Sequence, residues 1–407
     1  MTRASLFKQP QFTRYLFSQT GSFFAYQMLS VAVGWQIYDI TNSALSLGLV
    51  GLAGFLPQFL LSLPAGHVAD RYDRRRVVYL AQACQGAMAI VLAAGSFAHW
   101  LDSTAIYVCA FVIGGARAFY QPAQQAMLPA LVEREDLTSA ISIANAFRNS
   151  SAIGGPALGG GLYILGADAV YALAAVIFLT AAILTSGIKL TTQPKSREPA
   201  TLKSLFAGFV YIRGQPAILG ALSLDLFAVL LGSVTALLPI YARDILHTGP
   251  WGLGVLRAAP AIGAVLMAIV MVRYPLDRRV GHVMFASVAV FGAANIVFGI
   301  SDLFALSCVA LIVAGGADMV SVVIRSTLVQ LDTPDDMRGR VAAVNSVFIG
   351  TSNQLGQFWA GVVAAMIGAV PAVIIGGIGT LVVVAVSMRL FPGLVTRDTL
   401  ATPETKS

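Results

Sequence analysis

Apolar residues run along this chain in blocks of about twenty, separated by short polar stretches rich in arginine, glycine and proline. A bilayer core is crossed by about 20 apolar residues of helix, so each block reads as a membrane span. Twelve blocks qualify: 12–38, 45–65, 77–98, 104–127, 141–165, 167–188, 216–241, 250–271, 281–300, 303–328, 341–367 and 370–391. The longest polar interruption, 189–215, falls between the sixth and the seventh. The pattern predicts an all-α polytopic membrane protein with twelve transmembrane helices in two six-helix bundles. Residues 1–188 form the first bundle, 189–215 a central loop, and 216–407 the second bundle with its tail. In the central loop Leu202, Leu205, Phe206, Phe209 and Val210 repeat at helical spacing, with Lys203 and Arg213 among the rest. That spacing predicts a short amphipathic helix at the membrane surface.

The basic residues give the orientation. Of the 26 Lys and Arg, 21 fall on the two tails, at the adjoining ends of the first and last spans (Arg14, Arg389) and on the loops after even-numbered spans, and Arg243 alone falls on the opposite side. Retained positive charge marks the cytoplasmic face, so both termini and the central loop are expected there. The formal charge of +7 is therefore a topology signal and does not point to nucleic acid.

Composition narrows the function classes. The 407 residues are 57% hydrophobic and 11% charged, against about 25% charged in a soluble domain. After twelve spans the remaining loops are too short for a soluble catalytic domain, a sensor or a nucleotide-driven motor. The phosphate-cradling pattern G-x-x-x-x-G-K-[ST] is absent. Cys84, Cys109 and Cys308 lie in apolar runs, and the four histidines are scattered, so no disulfide framework, metal centre or cofactor is expected. Met1 to Pro10 is polar and the first apolar run is long, so no cleavable leader is expected. A membrane-embedded enzyme would need a His/Asp or Ser/His pair within the spans, and no histidine lies deep in one.

The halves repeat. Gly114-Gly115-Ala116-Arg117 recurs as Gly315-Gly316-Ala317-Asp318 at an offset of 201, Asn145 and Gly161 recur as Asn345 and Gly361 at 200, and Asp73-Arg74-Arg75 recurs as Asp277-Arg278-Arg279 at 204. Parallel repeats place a substrate cavity between the halves near the midplane.

Two motifs carry a family likeness. Gly66-His67-Val68-Ala69-Asp70-Arg71-Tyr72-Asp73-Arg74-Arg75-Arg76, between spans 2 and 3, resembles the loop signature G-x-L-A-D-R-x-G-R-R of the major facilitator superfamily. Ser151-x-x-x-Gly155-Pro156-Ala157-Leu158-Gly159-Gly160 in span 5 is similar to that superfamily's antiporter motif. Gln121-Pro122-x-x-Gln125-Ala126-Met127-Leu128-Pro129 and Arg338-Gly339-Arg340-Val341 resemble the branch of siderophore exporters and macrolide-efflux proteins. Val68, Asp73 and Ser151 depart from the patterns. The resemblance implies a secondary exporter of small amphipathic compounds in a bacterial inner membrane. It also implies proton antiport by alternating access, with a monomer, protons and membrane lipid as the working parts. A lysophospholipid flippase or an importer of the same fold is the alternative, and a transport-dead receptor or scaffold a further one.

Site expectations follow from charge and spacing. Arg117, Arg148, Asp225, Arg257, Asp318 and Arg325 lie inside spans, where exposing all six to lipid would cost roughly 15–20 kcal/mol. They must face a cavity or one another. Gln19, Ser22 and Tyr26 on span 1, Arg117 and Gln121 on span 4, and Asp318 and Ser321 on span 10 are the expected substrate-binding residues. In the resembled fold these spans line the cavity. Four arginines against two aspartates favour anionic or zwitterionic amphiphiles over lipophilic cations. For proton coupling the candidates are Asp225 and Asp318. Asp225 has no basic residue within two turns on its own helix and is the expected proton carrier. Asp318 has Arg325 two turns away on its own face and aligns with Arg117 of the other half, and is expected to form an ion pair with one or the other that reorganises during transport. Gating is expected at Gly66, Asp70, Arg71 and Arg74, with the Asp70 carboxylate capping an incoming helix. Gly155, Pro156, Gly159 and Gly160 are expected to bend span 5 and bring backbones close.

Overall fold

A computed structural model describes residues 6–189, 202–276 and 278–400, and among them no strand occurs. The first half contains α1 (Pro10–Thr41), α2 (Ala44–Leu60), α3 (Ser62–Arg71), α4 (Arg74–Phe97), α5 (Ser103–Met127), α6 (Leu137–Leu162) and α7 (Ala167–Ser186). Then come α8 (Leu202–Arg213), α9 (Pro216–Gly232), α10 (Gly249–Arg273), α11 (Val280–Ile300), α12 (Phe304–Leu331), α13 (Asp335–Ile367), α14 (Ala369–Leu390) and a last turn, α15 (Pro392–Val395). Local chemistry sets several starts. Proline opens α1 and α9, where its missing N–H costs nothing. The Asp102 carboxylate accepts from Ala105 N at 2.8 Å to cap α5.

Among the described residues, eight segments are each long and apolar enough to cross a membrane. The other spans fall on α1, the α2–α3 pair, α6 and α13. Polar residues dilute them: α6 carries Asn145, Arg148, Asn149 and Ser150 along its middle, and α13 carries Asn345, Asn353 and Gln354. Helices with this mixture are amphipathic, and α6 brings Arg148 to the site described below.

Two of the twelve expected spans are interrupted. Span 2 is α2 and α3, joined at Leu61 just beyond Pro57. Span 7 ends as α9 at Gly232, resumes with a 3-10 turn at Thr235–Leu237, and closes in a π-helical turn, Tyr241–Ile245. The hydrophobic pattern alone predicts a continuous helix over 216–241. The break is held by Asn295, whose Nδ2 donates to the Gly232 carbonyl at 2.8 Å, supplying a partner that a broken helix lacks. Past it, the Tyr241 hydroxyl donates to the Gly299 carbonyl at 3.0 Å.

The chain forms two compact units, Met1–Pro199 with Thr248–Ala258, and Ala200–His247 with Ala259–Ser407. In the first, a buried polar knot ties α1, α4 and α7. Gln82 Nε2 donates to Ser18 Oγ and Ser22 Oγ, each at 2.8 Å, and Thr185 Oγ1 donates to Gln82 Oε1 at 2.9 Å. Nearer the other end, Tyr171 donates to Gln36 Oε1 at 2.7 Å and Gln36 Nε2 to Ser96 Oγ at 3.0 Å. Without water in the bilayer core, such groups must satisfy one another.

The repeat seen in the sequence has structural counterparts within each unit. A Cβ on Gly114 of α5 would lie 1.9 Å from the Gly54 carbonyl of α2. One on Gly315 of α12 would lie 2.0 Å from the Pro260 carbonyl of α10. Both glycines exist because two backbones touch there. Likewise Gly166 (φ 116°) turns the chain from α6 into α7, and Gly368 (φ 92°) turns it from α13 into α14. Residues with a Cβ avoid that conformation.

Helix α8 is two-faced. Ile212 is buried with Val341 and Val344 of α13, and a Cβ on Gly208 would lie 2.7 Å from the Arg340 carbonyl. Phe206, Phe209 and Val210 are exposed, an apolar face of the kind that seeks a membrane surface. The side chains of Leu202, Lys203 and Leu205 lie outside the described residues.

Candidate transport site

In the first unit, the Arg117 guanidinium of α5 lies over the Tyr26 ring of α1, 3.6 Å from its centroid. Arg148 of α6 stands 5.1 Å above the Phe23 ring. Arg257, in the part of α10 that groups with this unit, donates from Nη1 to Ser30 Oγ at 2.6 Å. None of these arginines has a carboxylate partner among the described residues. Cation–ring contacts contribute about 0.5–1 kcal/mol at exposed sites, as at Arg148, and up to about 2 kcal/mol when desolvated, and they hold a guanidinium without neutralising it. Three positive charges at membrane depth without a counter-ion make an anion-seeking site. Gln19 Oε1, Arg117 Nε and Arg257 Nε are buried with no hydrogen-bond partner, as expected where water or a ligand completes a polar site.

The candidates on α1 divide. Steps of four residues advance the face by about 40° each, so Ser18, Ser22 and Tyr26 drift around the helix. Ser18 and Ser22 turn into the polar knot with Gln82, while Tyr26 meets Arg117. Gln121 accepts at Oε1 from Gln58 Nε2 at 3.2 Å. Gln82, which organises the knot, is not singled out by sequence reasoning. A glutamine in the middle of an apolar run is the available signal.

The second unit holds the acids. Arg325 Nη1 of α12 lies 2.5 Å from Asp225 Oδ2 of α9, with both side chains almost fully buried. Asp318 is half-buried and makes no hydrogen bond or ion pair with described residues. Ser321, between Asp318 and Arg325 on the same face, has its hydroxyl buried without a partner. This overturns the expected pairing of Asp318 with Arg325. Spacing along α12 places these two on one face, but two turns is about 10 Å of rise. The neighbouring helix brings Asp225 closer.

The gating candidates also resolve individually. A Cβ on Gly155 would lie 2.7 Å from Gln27 Cβ, and one on Gly159 2.9 Å from Met28 Cα, so both accept close approach of α1. Gly160 faces α10, where a Cβ would lie 2.5 Å from the Pro250 carbonyl. Pro156 sits inside α6, and Ser151 Oγ donates to the Phe147 carbonyl at 3.0 Å. At the loop motif, Gly66 has open space where a Cβ would go. Arg74 donates from Nε to the Ala69 carbonyl and from Nη1 to the Ala126 carbonyl, each at 3.2 Å, tying the ends of α3 and α5. Arg71 is exposed in the last turn of α3, and the side chain of Asp70 lies outside the described residues. The cap of α4 is Asp73, whose Oδ1 accepts from Arg75 N at 3.0 Å. Among the described residues no cluster of His, Cys, Asp or Glu is suited to a metal.

Repeated helical units, broken spans and uncompensated charges at membrane depth define a multi-pass membrane transporter of the major facilitator fold. Solved structures share that fold. The nucleoside transporter NupG matches with a TM-score of 0.70 at 14% identity, over 94% of this chain and 99% of that one. A bacterial homologue of the human lysosomal transporter Spinster, inward-facing and occupied, matches at 0.74 and 12%, over 94% of this chain and 96% of that one. The chain belongs to the transmembrane secretion effector family, whose model matches residues 4–401. It is 31% identical over 369 residues to the enterobactin exporter EntS of Citrobacter koseri, covering 90% of this chain and 88% of that protein. The Escherichia coli O1:K1 exporter of the same name is 31% identical over 359 residues, 88% of this chain and 86% of that protein. Family and relatives alike place the protein among transporters rather than enzymes.

Proposed function

We propose that this protein exports anionic amphipathic compounds of the siderophore type, exchanging them for protons by alternating access. The observation that carries the reading is the uncompensated guanidinium group of Arg117 stacked on Tyr26, with Arg148 and Arg257 in the same unit. A positive, ring-bearing surface suits an anionic ligand with aromatic groups. The relatives are enterobactin exporters, which supports the same class.

Gln19, Tyr26, Arg117 and Gln121 are the substrate contacts of the first unit, with Ser22 behind them, and Asp318 and Ser321 those of the second. Asp225 and Asp318 serve proton coupling together, through the Arg325 that Asp225 holds. Gly66, Asp70, Arg71 and Arg74 gate at one membrane face, and Gly155, Pro156, Gly159 and Gly160 set the packing of span 5. The protein works as a monomer in the bacterial inner membrane, with both termini in the cytoplasm. The chain divides into its two bundles at the central loop 189–215.

Proteoliposomes test the reading. An imposed proton gradient should drive a tris-catecholate probe such as enterobactin, while ethidium should move poorly. Arg117→Ala should depress the first and leave the second unchanged. Equal transport of ethidium and the catecholate would sink the charge argument, and translocation of a labelled lysophospholipid alone would favour a flippase.

A further inference from the structure

We propose that Arg325 is a counter-ion shared by two carboxylates, anchored on Asp225 and governing when Asp318 gives up a proton. The inference rests on the antiport reading and divides its chemistry among three side chains of the second unit.

Asp225 is the anchor. Its Oδ2 lies 2.5 Å from Arg325 Nη1, and the side chains are 7% and 4% exposed. Separating them would leave a buried charge unpaired, which is strongly unfavourable in a low-dielectric interior. Asp225 therefore stays ionised and paired.

Asp318 is the odd member. It is half-buried, and no described residue bonds it. The helices packed against α12 supply no second cation at its level. In α9 the only ionisable side chain is Asp225; 259–272 of α10 has none; His282 is in the first turn of α11; and the charges of α13 are confined to 335–340. Cys308 is ten residues up α12, and the Tyr241 hydroxyl is engaged with Gly299. One guanidinium thus serves two carboxylates. With Asp225 holding it, Asp318 is neutral only as the acid.

The route between them lies on one helix face. Side chains of a helix lean toward its N-terminus, so Arg325 leans toward Ser321 and Asp318. A guanidinium carries five N–H donors, of which the Asp225 contact uses the Nη1 end. The Ser321 hydroxyl, buried and unpartnered, stands between. When Asp318 loses its proton, the O–H bond breaks, the proton passes to water, and the electron pair stays on the carboxylate. That carboxylate then draws the unused nitrogens of Arg325, with Ser321 bridging, while Nη1 keeps Asp225.

Infrared difference spectroscopy on the full-length protein in liposomes, titrated with pH and without substrate, reads the C=O stretch of a protonated buried carboxyl. The wild type should show one such titrating group. Asp318→Asn should abolish it, and Asp225→Asn should keep it while displacing its midpoint, because Arg325 is then free for Asp318. Arg325→Gln strips both acids of their cation and should raise the amplitude about twofold, whereas Arg325→Lys should return it to one. Loss of the band in Asp225→Asn with retention in Asp318→Asn overturns the assignment, as does a wild type without the band. An Arg325→Gln amplitude no larger than wild type overturns the sharing. Should Asp225→Asn fail to fold, Asp318→Asn and the two Arg325 variants still decide. The readout needs no transport, so a failure of the antiport reading in the liposome assay is seen separately.

Discussion

The guanidinium carbon of Arg117 lies over the ring of Tyr26, 3.6 Å from its centroid, with its Nε buried and unpartnered. The ring orients the cation and leaves its charge uncancelled, so the contact serves recognition rather than neutralisation. Tyr26→Leu should release the guanidinium and weaken binding of an anionic catechol probe about three- to thirtyfold, or ~0.7–2 kcal/mol. Tyr26→Phe keeps the ring and should bind within about twofold of wild type. Fluorescence titration of detergent-solubilised protein checks both. Equal losses in the two variants would shift the role from the ring to the hydroxyl.

Gln82 bonds three hydroxyls in the interior of the first unit. Gln82→Leu leaves Ser18, Ser22 and Thr185 without it. Interhelical hydrogen bonds in membranes average about 0.6 kcal/mol and reach about 1.7, so a loss of roughly 1–3 kcal/mol is expected. Thermal unfolding in detergent measures it. Adding Ser22→Ala to Gln82→Leu should regain part of that loss, because Ser22 is the hydroxyl left exposed to apolar surroundings. Ser18 and Thr185 keep each other at 2.6 Å, and Ser18 keeps the Ala181 carbonyl at 3.0 Å.

The glycines of the motifs are not equivalent. Gly114→Ala places a Cβ 1.9 Å from the Gly54 carbonyl, and Gly160→Ala one 2.5 Å from the Pro250 carbonyl. Backbone must move in both cases, and overpacking of this kind costs typically about 1–3 kcal/mol. Gly66→Ala meets nothing within 4 Å and should leave the unfolding temperature unchanged. If Gly66→Ala nonetheless slows transport, that glycine acts through conformational change and not through packing in this state.

Residues 396–400 form a strap. Arg397 donates to Asp332 at 2.5 and 2.8 Å, the Gly281 N–H donates to the Arg397 carbonyl at 3.0 Å, and Tyr211 of α8 donates to the Asp332 carbonyl at 3.0 Å. The two-pronged pair is partly shielded, so it exceeds the ~0–1 kcal/mol of an exposed one. Arg397→Gln should expose the segment after Leu394 to limited proteolysis several times faster than wild type. Asp332→Asn should do the same, and the double variant should be no worse than either, the non-additivity expected of a directly bonded pair. Additive effects would mean that the two act separately.

Much of this protein can be read from its residues because lipid is a severe solvent. A span must be about twenty apolar residues and must satisfy its own backbone, so blocks such as 281–300 and 370–391 identify themselves. The repeat is legible because close approach admits only glycine, and Gly114 and Gly315 stand at matching places. The superfamily likeness is legible for the same reason, since its span 5 motif is a run of residues chosen for backbone contact. What the tertiary structure alone decided is how each helix is rotated and which neighbour it meets. Ser22 and Tyr26 share a helix face by spacing, yet one enters the knot with Gln82 and the other meets Arg117. Arg325 shares a face with Asp318, yet bonds Asp225. Span 7 reads as continuous, yet breaks at Gly232, where Asn295 from another helix takes up the freed carbonyl. A periodic pattern fixes positions along one helix. Ion pairs, knots and breaks depend on side chains distant in the chain, whose approach is set by packing that no local periodicity encodes.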